Sequence, residues 1–452
     1  MSVASRPETP VRVPLVSRPL GILASARTAR RNLLEIIPEI ATRQPMVSGR
    51  TGARWHMVMD PGAIRHVLRD ALDSYPKSEV TKLILRPAIG ESLFVAEGAH
   101  WRWQRRVVAP VFSHRNVAAL GPYMTAAAER ASARVAAAAG RAANLHDEMV
   151  TATFEVISDV TFSGDDAFDR ATLHRAIDRY IAQIARVSLL DVIGAPSWVP
   201  RPGRLFAGPV LREMKAVADG AIARRQSGGP RPLPDLLDMM LAGEDPEHHR
   251  PMNTAELRDN LLTFIVAGHE TTALTLAWSL YLCAFDTGVQ DAARAEAQAV
   301  LGDRAATAAD VTKLSLVRRI VDEALRLYPP AAILSRTAQA DDMLCRRGVR
   351  RGDTVMLPIY ALHRNHMLWD DPDRFDPDRF VAGPADRFAY LPFGDGPRIC
   401  IGASFALQEA VIILATLLAR FRFTPVQGRD PKPVLILTLR PEGGVWLNVS
   451  QV

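Results

Sequence analysis

The decapeptide Phe393-Gly394-Asp395-Gly396-Pro397-Arg398-Ile399-Cys400-Ile401-Gly402 constrains this chain more than any other stretch. It sets one cysteine between a glycine-rich turn and an apolar run, Ala403 to Leu418, that reads as a helix. Gly394 and Gly396 can take backbone conformations denied to other residues. Such a turn can aim backbone N–H groups at the sulfur, and the helix start behind it supplies further N–H groups and a partial positive charge. Both favour thiolate over thiol. A thiolate held this way suits the role of single protein ligand to a haem iron. Arg398, two residues away, is placed to meet a carboxylate of such a group. Taken alone, the segment also reads as a structural cysteine buried after a glycine turn.

The other cysteines do not compete for that role. Three cysteines, at 283, 345 and 400, are odd in number and far apart. There is no CxxC pair, so zinc and disulfide-scaffold readings fail. Cys283 falls in a long apolar helical run and reads as a packed core thiol; Cys345 sits in a strand-like region as a bystander. About half of the residues are hydrophobic, enough for a substantial core. The net charge of +6 is scattered arginine, which argues against nucleic-acid binding. No stretch of eighteen apolar residues is seen, so no membrane span is expected. The first 45 residues, broken by Pro7, Pro10, Pro14 and Pro19, lack the apolar core of a secretory signal.

Periodicity places helix over 117–160 and one long helix from Asn253 to about Phe285. Asn253, with Glu256 three residues on, predicts a capping box. Residues 51–75 read as a small sheet with a helix, and 332–358 as short strands. Residues 363–398 are loop-rich, and Val434–Leu439 and Gly444–Val449 read as two strands. Gly194–Gly203 and Ser227–Pro234 are proline- and glycine-rich breaks. Within the long helix, Ala267, Gly268 and Thr271 share one face. Thr271 can bond back to the Ala267 carbonyl and locally open the helix. Glycine in a helix interior costs roughly 1 kcal/mol relative to alanine, an expense that close approach of a flat ligand would explain. Glu270 beside them is an acid able to relay protons. His269 reads as a satisfied histidine, not a ligand.

The decapeptide resembles the haem-binding loop of the cytochrome P450 family, Phe-x-x-Gly-x-Arg-x-Cys-x-Gly, with Phe393, Gly394 and Gly402 among its filled positions. Four more segments are similar to that family in the right order. Trp101 and Arg105 match its Trp-x-x-x-Arg. Ala267 to Thr272 match its oxygen-activating helix, with Glu270 and Thr271 as the acid–alcohol pair, glutamate standing where other members carry aspartate. Glu323-x-x-Arg326 matches its buried charge pair, and Phe375 to Phe380 match its aromatic-x-Pro-acid-Arg-aromatic segment. Arg336 matches another family arginine. The resemblance covers roughly residues 90–405.

The resemblance implies a mainly α fold with small β-sheets, a single domain over 1–452 that encloses haem b between the long helix and the cysteine loop. It implies Cys400 as the iron ligand, with Trp101, Arg105, Arg336 and Arg398 on the propionates. Ala267 and Gly268 would lie against the haem, and Glu323, Arg326 and Arg379 would form a structural triad. It further implies insertion of one oxygen atom of O2 into a small apolar substrate of steroid, terpenoid or fatty acyl type. Leu83 to Phe94, Trp198, Ile265, Ala267, Ala331 to Leu334 and Leu435 to Leu437 would line the substrate space, with 194–203 as a lid or an ordinary proline loop. Electrons would come from a separate ferredoxin and its reductase, or a flavodoxin-type donor, docking on Arg102, Arg106 and Arg115. A cytoplasmic monomer is expected. A peroxide-driven enzyme and a non-catalytic haem protein are the rival readings.

Overall fold

The helix expected from Asn253 onwards is the axis of the computed structural model. It spans Thr254–Phe285, 32 residues, about 48 Å at the rise of an α-helix. Asn253 Oδ1 accepts from the Glu256 N–H at 2.9 Å, and Glu256 Oε2 accepts from the Asn253 N–H at 3.0 Å, so the capping box forms. Its side chains are buried nearly all round, which suits a helix threaded through a core. Asp286 closes it and, by accepting from the Gly288 and Val289 N–H groups, starts the next helix, Thr287–Leu301. The structure describes residues 9–18, 20–163, 169–180, 208–228, 234–245, 247 and 249–452.

Against this axis pack Leu145–Thr161, Gly208–Gly228, Ser315–Leu327 and Ala403–Arg420. Four small sheets flank the helices. β1 (Met46–Thr51), β2 (Ala53–Val58), β7 (Thr354–Leu357) and β4 (Leu334–Thr337) form one sheet in that order, with β2 and β7 parallel. β5 (Asp342–Leu344) pairs with β6 (Arg347–Val349). β3 (Ala142–Asn144), β11 (Trp446–Gln451) and β8 (Phe421–Pro425) form a third sheet; β9 (Lys432–Leu435) and β10 (Leu439–Glu442) form a fourth. The mainly α architecture with small sheets is the one expected.

Four expectations need correction. The helical run over 117–160 is the end of His114–Ala119 followed by Gly121–Ala136 and Leu145–Thr161, the last two parted by β3, just before which Gly140 takes φ +82°. The two C-terminal strands are three, because the chain turns back between Leu435 and Leu439. The helix Gly208–Gly228 runs into the loop expected from Ser227; residues 229–233 of that loop and 194–203, with Trp198, lie outside the described residues. The helix Ala403–Arg420 is long and apolar enough to cross a membrane by length and composition, but packs in the core against the central helix. Cys283 is fully buried, its thiol pushed up to about 12 by desolvation.

One ion-paired cluster holds the loop-rich stretch 363–391 to the helices. Arg326 Nε and Nη2 donate to the two Glu323 oxygens at 2.6 and 2.8 Å, with both side chains fully buried. The same guanidinium donates to the carbonyls of His363 (2.8 Å), Pro372 (2.6 Å) and Arg374 (3.0 Å). Arg379 Nε donates to Glu323 Oε1 at 3.1 Å, as does the Asp376 N–H at 2.9 Å. Asp378, where the family pattern has glutamate more often, faces solvent and pairs with Arg319, so the change leaves the cluster untouched. Removing one member of a buried pair typically costs about 3–5 kcal/mol, a large share of a domain's net stability. Glu323→Ala is therefore expected to yield little haem-loaded protein, checked by haem content per chain after purification. A haem-replete Glu323→Ala protein of unchanged stability would contradict this role.

Candidate active site

The cysteine loop is built by turns that only its glycines permit. Gly394 and Gly396 take φ of +69° and +73°. A Cβ on Gly396 would lie 2.3 Å from the Leu68 carbonyl oxygen, so this glycine is required by space as well as by conformation. The Gly394 N–H donates to the Leu391 carbonyl (3.1 Å) and the Cys400 N–H to the Phe393 carbonyl (2.9 Å), closing the loop beneath the sulfur.

Two groups aim at the Cys400 sulfur, as the loop pattern suggested. The Gly402 N–H donates to it, and the Arg105 guanidinium lies near; each lowers the thiol's pKa. Burial outweighs both and pushes the thiol up. Cys400 is exposed by area, but what it faces is the interior cavity, not bulk water. The loop therefore does not make a thiolate unaided. Coordination to a metal, which deprotonates a thiol outright, would supply the remainder.

Cys400 opens into a cavity of about 1100 Å³. Phe393, Gly394, Gly402, Ala406 and Ala410 form its wall on the cysteine side; Ala267, Gly268, Thr271, Thr272 and Thr275 face them from the central helix. The Thr271 hydroxyl donates to the Ala267 carbonyl at 2.8 Å, as expected, yet the helix stays continuous. A Cβ on Gly268 would meet Ile157 at an ordinary 3.5 Å, so no protein neighbour demands that glycine. His269 is buried, with Nδ1 at 2.7 Å from the Ile265 carbonyl, in keeping with a satisfied histidine.

The acid–alcohol pair is parted. Successive helix positions turn by about 100°, so with Thr271 on the cavity, Glu270 faces away. Its carboxylate is taken by Arg440 of β10 and by the Thr438 hydroxyl (2.6 Å) in the turn before it. The same geometry corrects Ile265, which is buried in the core and off the cavity wall.

The cavity holds an excess of buried positive charge. Arg105, Arg336 and Arg398 line it as expected, with Trp101 under the Arg398 guanidinium at 4.3 Å. Lys77 and Glu97 complete the cluster, and nothing in their local sequence marks them. Glu97 pairs with Arg398 and accepts from the Lys77 N–H at 2.9 Å. One carboxylate thus serves Arg398, Arg336 and Lys77, with the Lys82 ammonium also at 4.0 Å. Desolvation, then neighbouring Arg398, lowers Arg336 to about 10, and its Nε is buried without a partner. Burial, then the nearby Arg336 and Arg398, lowers Lys77 well below its ordinary value. A flat metal complex carrying carboxylates fits this donor set: the sulfur for the metal, the cations for the acids. Cys400 would hold the iron, with Arg105, Arg336, Arg398, Lys77 and Trp101 around the propionates.

His363 links this site to the buried cluster, another residue without a local sequence signal. Its Nδ1–H donates to the Arg326 carbonyl at 3.1 Å, and its Nε2 accepts from the Leu391 N–H at 2.9 Å, where the cysteine loop begins. Burial, then the charge of Arg326, drives its pKa down to about 3.

These features define the haem-thiolate class of site, and the comparisons give the family. The chain belongs to the cytochrome P450 family, whose model matches residues 20–448. A Mycobacterium tuberculosis protein described as cytochrome P450 132 is 34% identical over 413 residues, 87% of each chain. Cyclooctat-9-en-7-ol 5-monooxygenase of Streptomyces melanosporofaciens is 32% identical over 432 residues, 93% of this chain and 92% of that one. The solved cytochrome P450DA heme domain superposes with a TM-score of 0.78 at 27% identity, covering 90% of each chain. The protein is a cytochrome P450 monooxygenase with haem b as its cofactor.

The depressed pKa of His363 has a measurable consequence. Unfolded, the imidazole takes a proton near pH 6.5; folded, it does so only near 3. Between these values the unfolded state binds more protons, so His363 contributes stability that is present above pH ~6.5 and is lost as pH falls, at up to ~1.4 kcal/mol per pH unit. Denaturant unfolding at a series of pH values is expected to show this slope, with His363→Gln reducing it. An equal slope in the variant would contradict the assignment.

Proposed function

We propose that the protein inserts one oxygen atom of O2 into a small apolar substrate of steroid, terpenoid or fatty acyl type, taking electrons from separate proteins. The observation that carries this reading is the single cavity that joins Cys400 to an aliphatic wall. Ile84, Leu85, Ala331, Ile333, Leu334 and Leu435 to Leu437 line it, with Leu33, Ile36, Val47 and Met57 from the N-terminal third. The volume exceeds that of an ordinary small-molecule site, ~300–1,000 Å³, as a site for cofactor and substrate together should. Arg86 pairs with Glu91 and Lys82 with Glu79 outside that wall, while Arg18, Arg50 and Arg54 line the cavity, Arg54 being paired with Asp353. A relative named for monooxygenation of cyclooctat-9-en-7-ol supports the apolar class.

When bound, the haem supplies oxygen activation; the residues supply position, dryness and protons. Thr271 is the hydroxyl of the expected pair that faces the cavity, and it holds and passes protons there. Glu270 joins such a relay only by leaving Arg440. The electron donor is an acidic ferredoxin or flavodoxin-type protein. A surface hollow lined by Arg69, Arg102, Arg105, Arg106 and Pro397, where four arginines outnumber Asp70 and Asp73, is the docking site that charge complementarity favours. Arg106 also borders it but is committed to the buried Asp245 at 2.8 Å and to Glu247 at 3.1 Å, and Arg102 shares Asp73 at 2.8 Å. Arg69 and Arg102 are therefore the better positions for charge reversal than Arg106. The chain acts as one domain and as a cytoplasmic monomer in this reading.

Isotopically labelled dioxygen tests it. Turnover of an apolar substrate with NAD(P)H, ferredoxin and reductase is expected to place one labelled oxygen atom in the product. Thr271→Ala is expected to keep haem and substrate binding but divert reducing equivalents to hydrogen peroxide. Arg69→Glu is expected to slow reduction by the donor and flatten its salt dependence. Product without label would favour the peroxide-driven reading, and unchanged coupling in Thr271→Ala would remove Thr271 from the chemistry.

A further inference from the structure

The hairpin of β9 and β10 supplies part of the cavity wall, and Glu270 holds its turn. Leu435, Ile436 and Leu437 line the cavity from the end of β9 and the turn that follows. The strands beside the turn are tied to their surroundings by neutral bonds. Asn32 Nδ2 donates to the Pro433 carbonyl at 3.1 Å, and Asn32 Oδ1 accepts from the Leu435 N–H at 2.9 Å. The Leu439 N–H donates to the Pro330 carbonyl at 3.0 Å, and Trp278 Nε1 donates to the Leu439 carbonyl at 3.2 Å. The turn itself, residues 436–438, makes a single hydrogen bond to the rest of the protein among the described residues. In it Thr438 Oγ1 donates to Glu270 Oε1 at 2.6 Å.

Arg440, two residues beyond Thr438, gives both Nε and Nη2 to the same Glu270 oxygen. Glu270 is 4% exposed, so this is an ion pair largely out of water. A buried pair adds little net stability over an apolar contact, but removing one partner leaves the other charge uncompensated, and such pairs can serve to fix a register. The register fixed here is that of the hairpin against the central helix. The next residue on that helix is Thr271, which lines the cavity. One carboxylate oxygen thus relates the apolar wall at Ile436 and Leu437 to the helix position that carries the cavity hydroxyl.

We propose that Glu270 is a positioning residue that sets the ligand selectivity of the cavity, by holding Ile436 and Leu437 in place against the central helix through Thr438 and Arg440. In this role it moves no proton and touches no substrate. It decides how much room a bulky molecule finds between the hairpin turn and Thr271. The proposal rests on the monooxygenase reading of this site and deepens it.

Three variants of the haem-loaded ferric protein test it. Glu270→Ala removes the tie and Arg440→Ala removes its charged half. Thr438→Val removes only the neutral bond and leaves the ion pair to support the fold. Hydrogen–deuterium exchange is expected to be several-fold faster across residues 432–442 in all three, with the cysteine loop unchanged. Two iron ligands then separate the wall from the metal. Imidazole binds the iron and is too small to reach the hairpin, whereas clotrimazole binds through the same ring and carries bulky aryl groups into the cavity. Imidazole affinity is expected to stay as it was, while clotrimazole affinity shifts several-fold. Because Glu270 and Arg440 act as a unit, the double variant should shift no further than either single one. An acid that served only to relay protons would leave both affinities unchanged, since ferric protein binding a ligand delivers no proton to oxygen. Unaltered exchange of the hairpin, or equal shifts for the two ligands, would overturn the proposal. Failure of the monooxygenase reading looks different: the unmutated protein would give no labelled product, while these measurements need neither oxygen nor electrons.

Discussion

The buried Glu323–Arg326 pair is the constraint on which the active site depends. A guanidinium has five donors and no acceptor, and burial leaves no water to satisfy them. Arg326 meets this demand with one carboxylate and three backbone carbonyls drawn from a stretch with little regular structure. His363 passes the order on, one ring nitrogen bonded to the Arg326 carbonyl and the other to Leu391. Leu391 begins the turns that end at Cys400. The sulfur is therefore positioned by a chain of hydrogen bonds that starts at an ion pair in another helix.

The second requirement is electrostatic. Lys77, Arg336 and Arg398 crowd around one carboxylate, Glu97, at the cavity edge. Like charges brought together in a dry site are unfavourable until an anion joins them. Haem propionates would be such anions, and an iron held by Cys400 would stabilise the thiolate that burial of the loop disfavours. Cofactor and protein each complete what the other lacks. This reciprocity ties loading of the haem to the fold of the loop.

Legibility in the sequence follows the range of the interaction. The cysteine turn, the capping box at Asn253, and the Glu323–Arg326 spacing depend on residues a few positions apart, so their patterns could be read directly. The Thr271 bond to Ala267 is of the same kind. Arg440 meets Glu270 across 170 positions, His363 meets Leu391 across 28, and Lys77 feels the charges of Arg336 and Arg398 from distant parts of the chain. No local pattern carries such contacts. Side-chain direction was lost for a different reason: with Thr271 on the cavity, helical periodicity turns Glu270 and Ile265 away from it, and the hairpin and the core hold them there. The number of C-terminal strands was misread because Ile436 to Thr438 are as apolar and β-branched as the strands they separate.

The central claim is that Cys400 is the protein ligand of the haem iron. The most direct measurement is the carbon monoxide difference spectrum of the reduced, haem-loaded protein. The account predicts the strongly red-shifted Soret band of a thiolate-ligated haem, and its loss in Cys400→His with haem retained. An unshifted, histidine-type Soret band in the unmutated protein, or a red-shifted band that survives in Cys400→His, would contradict it.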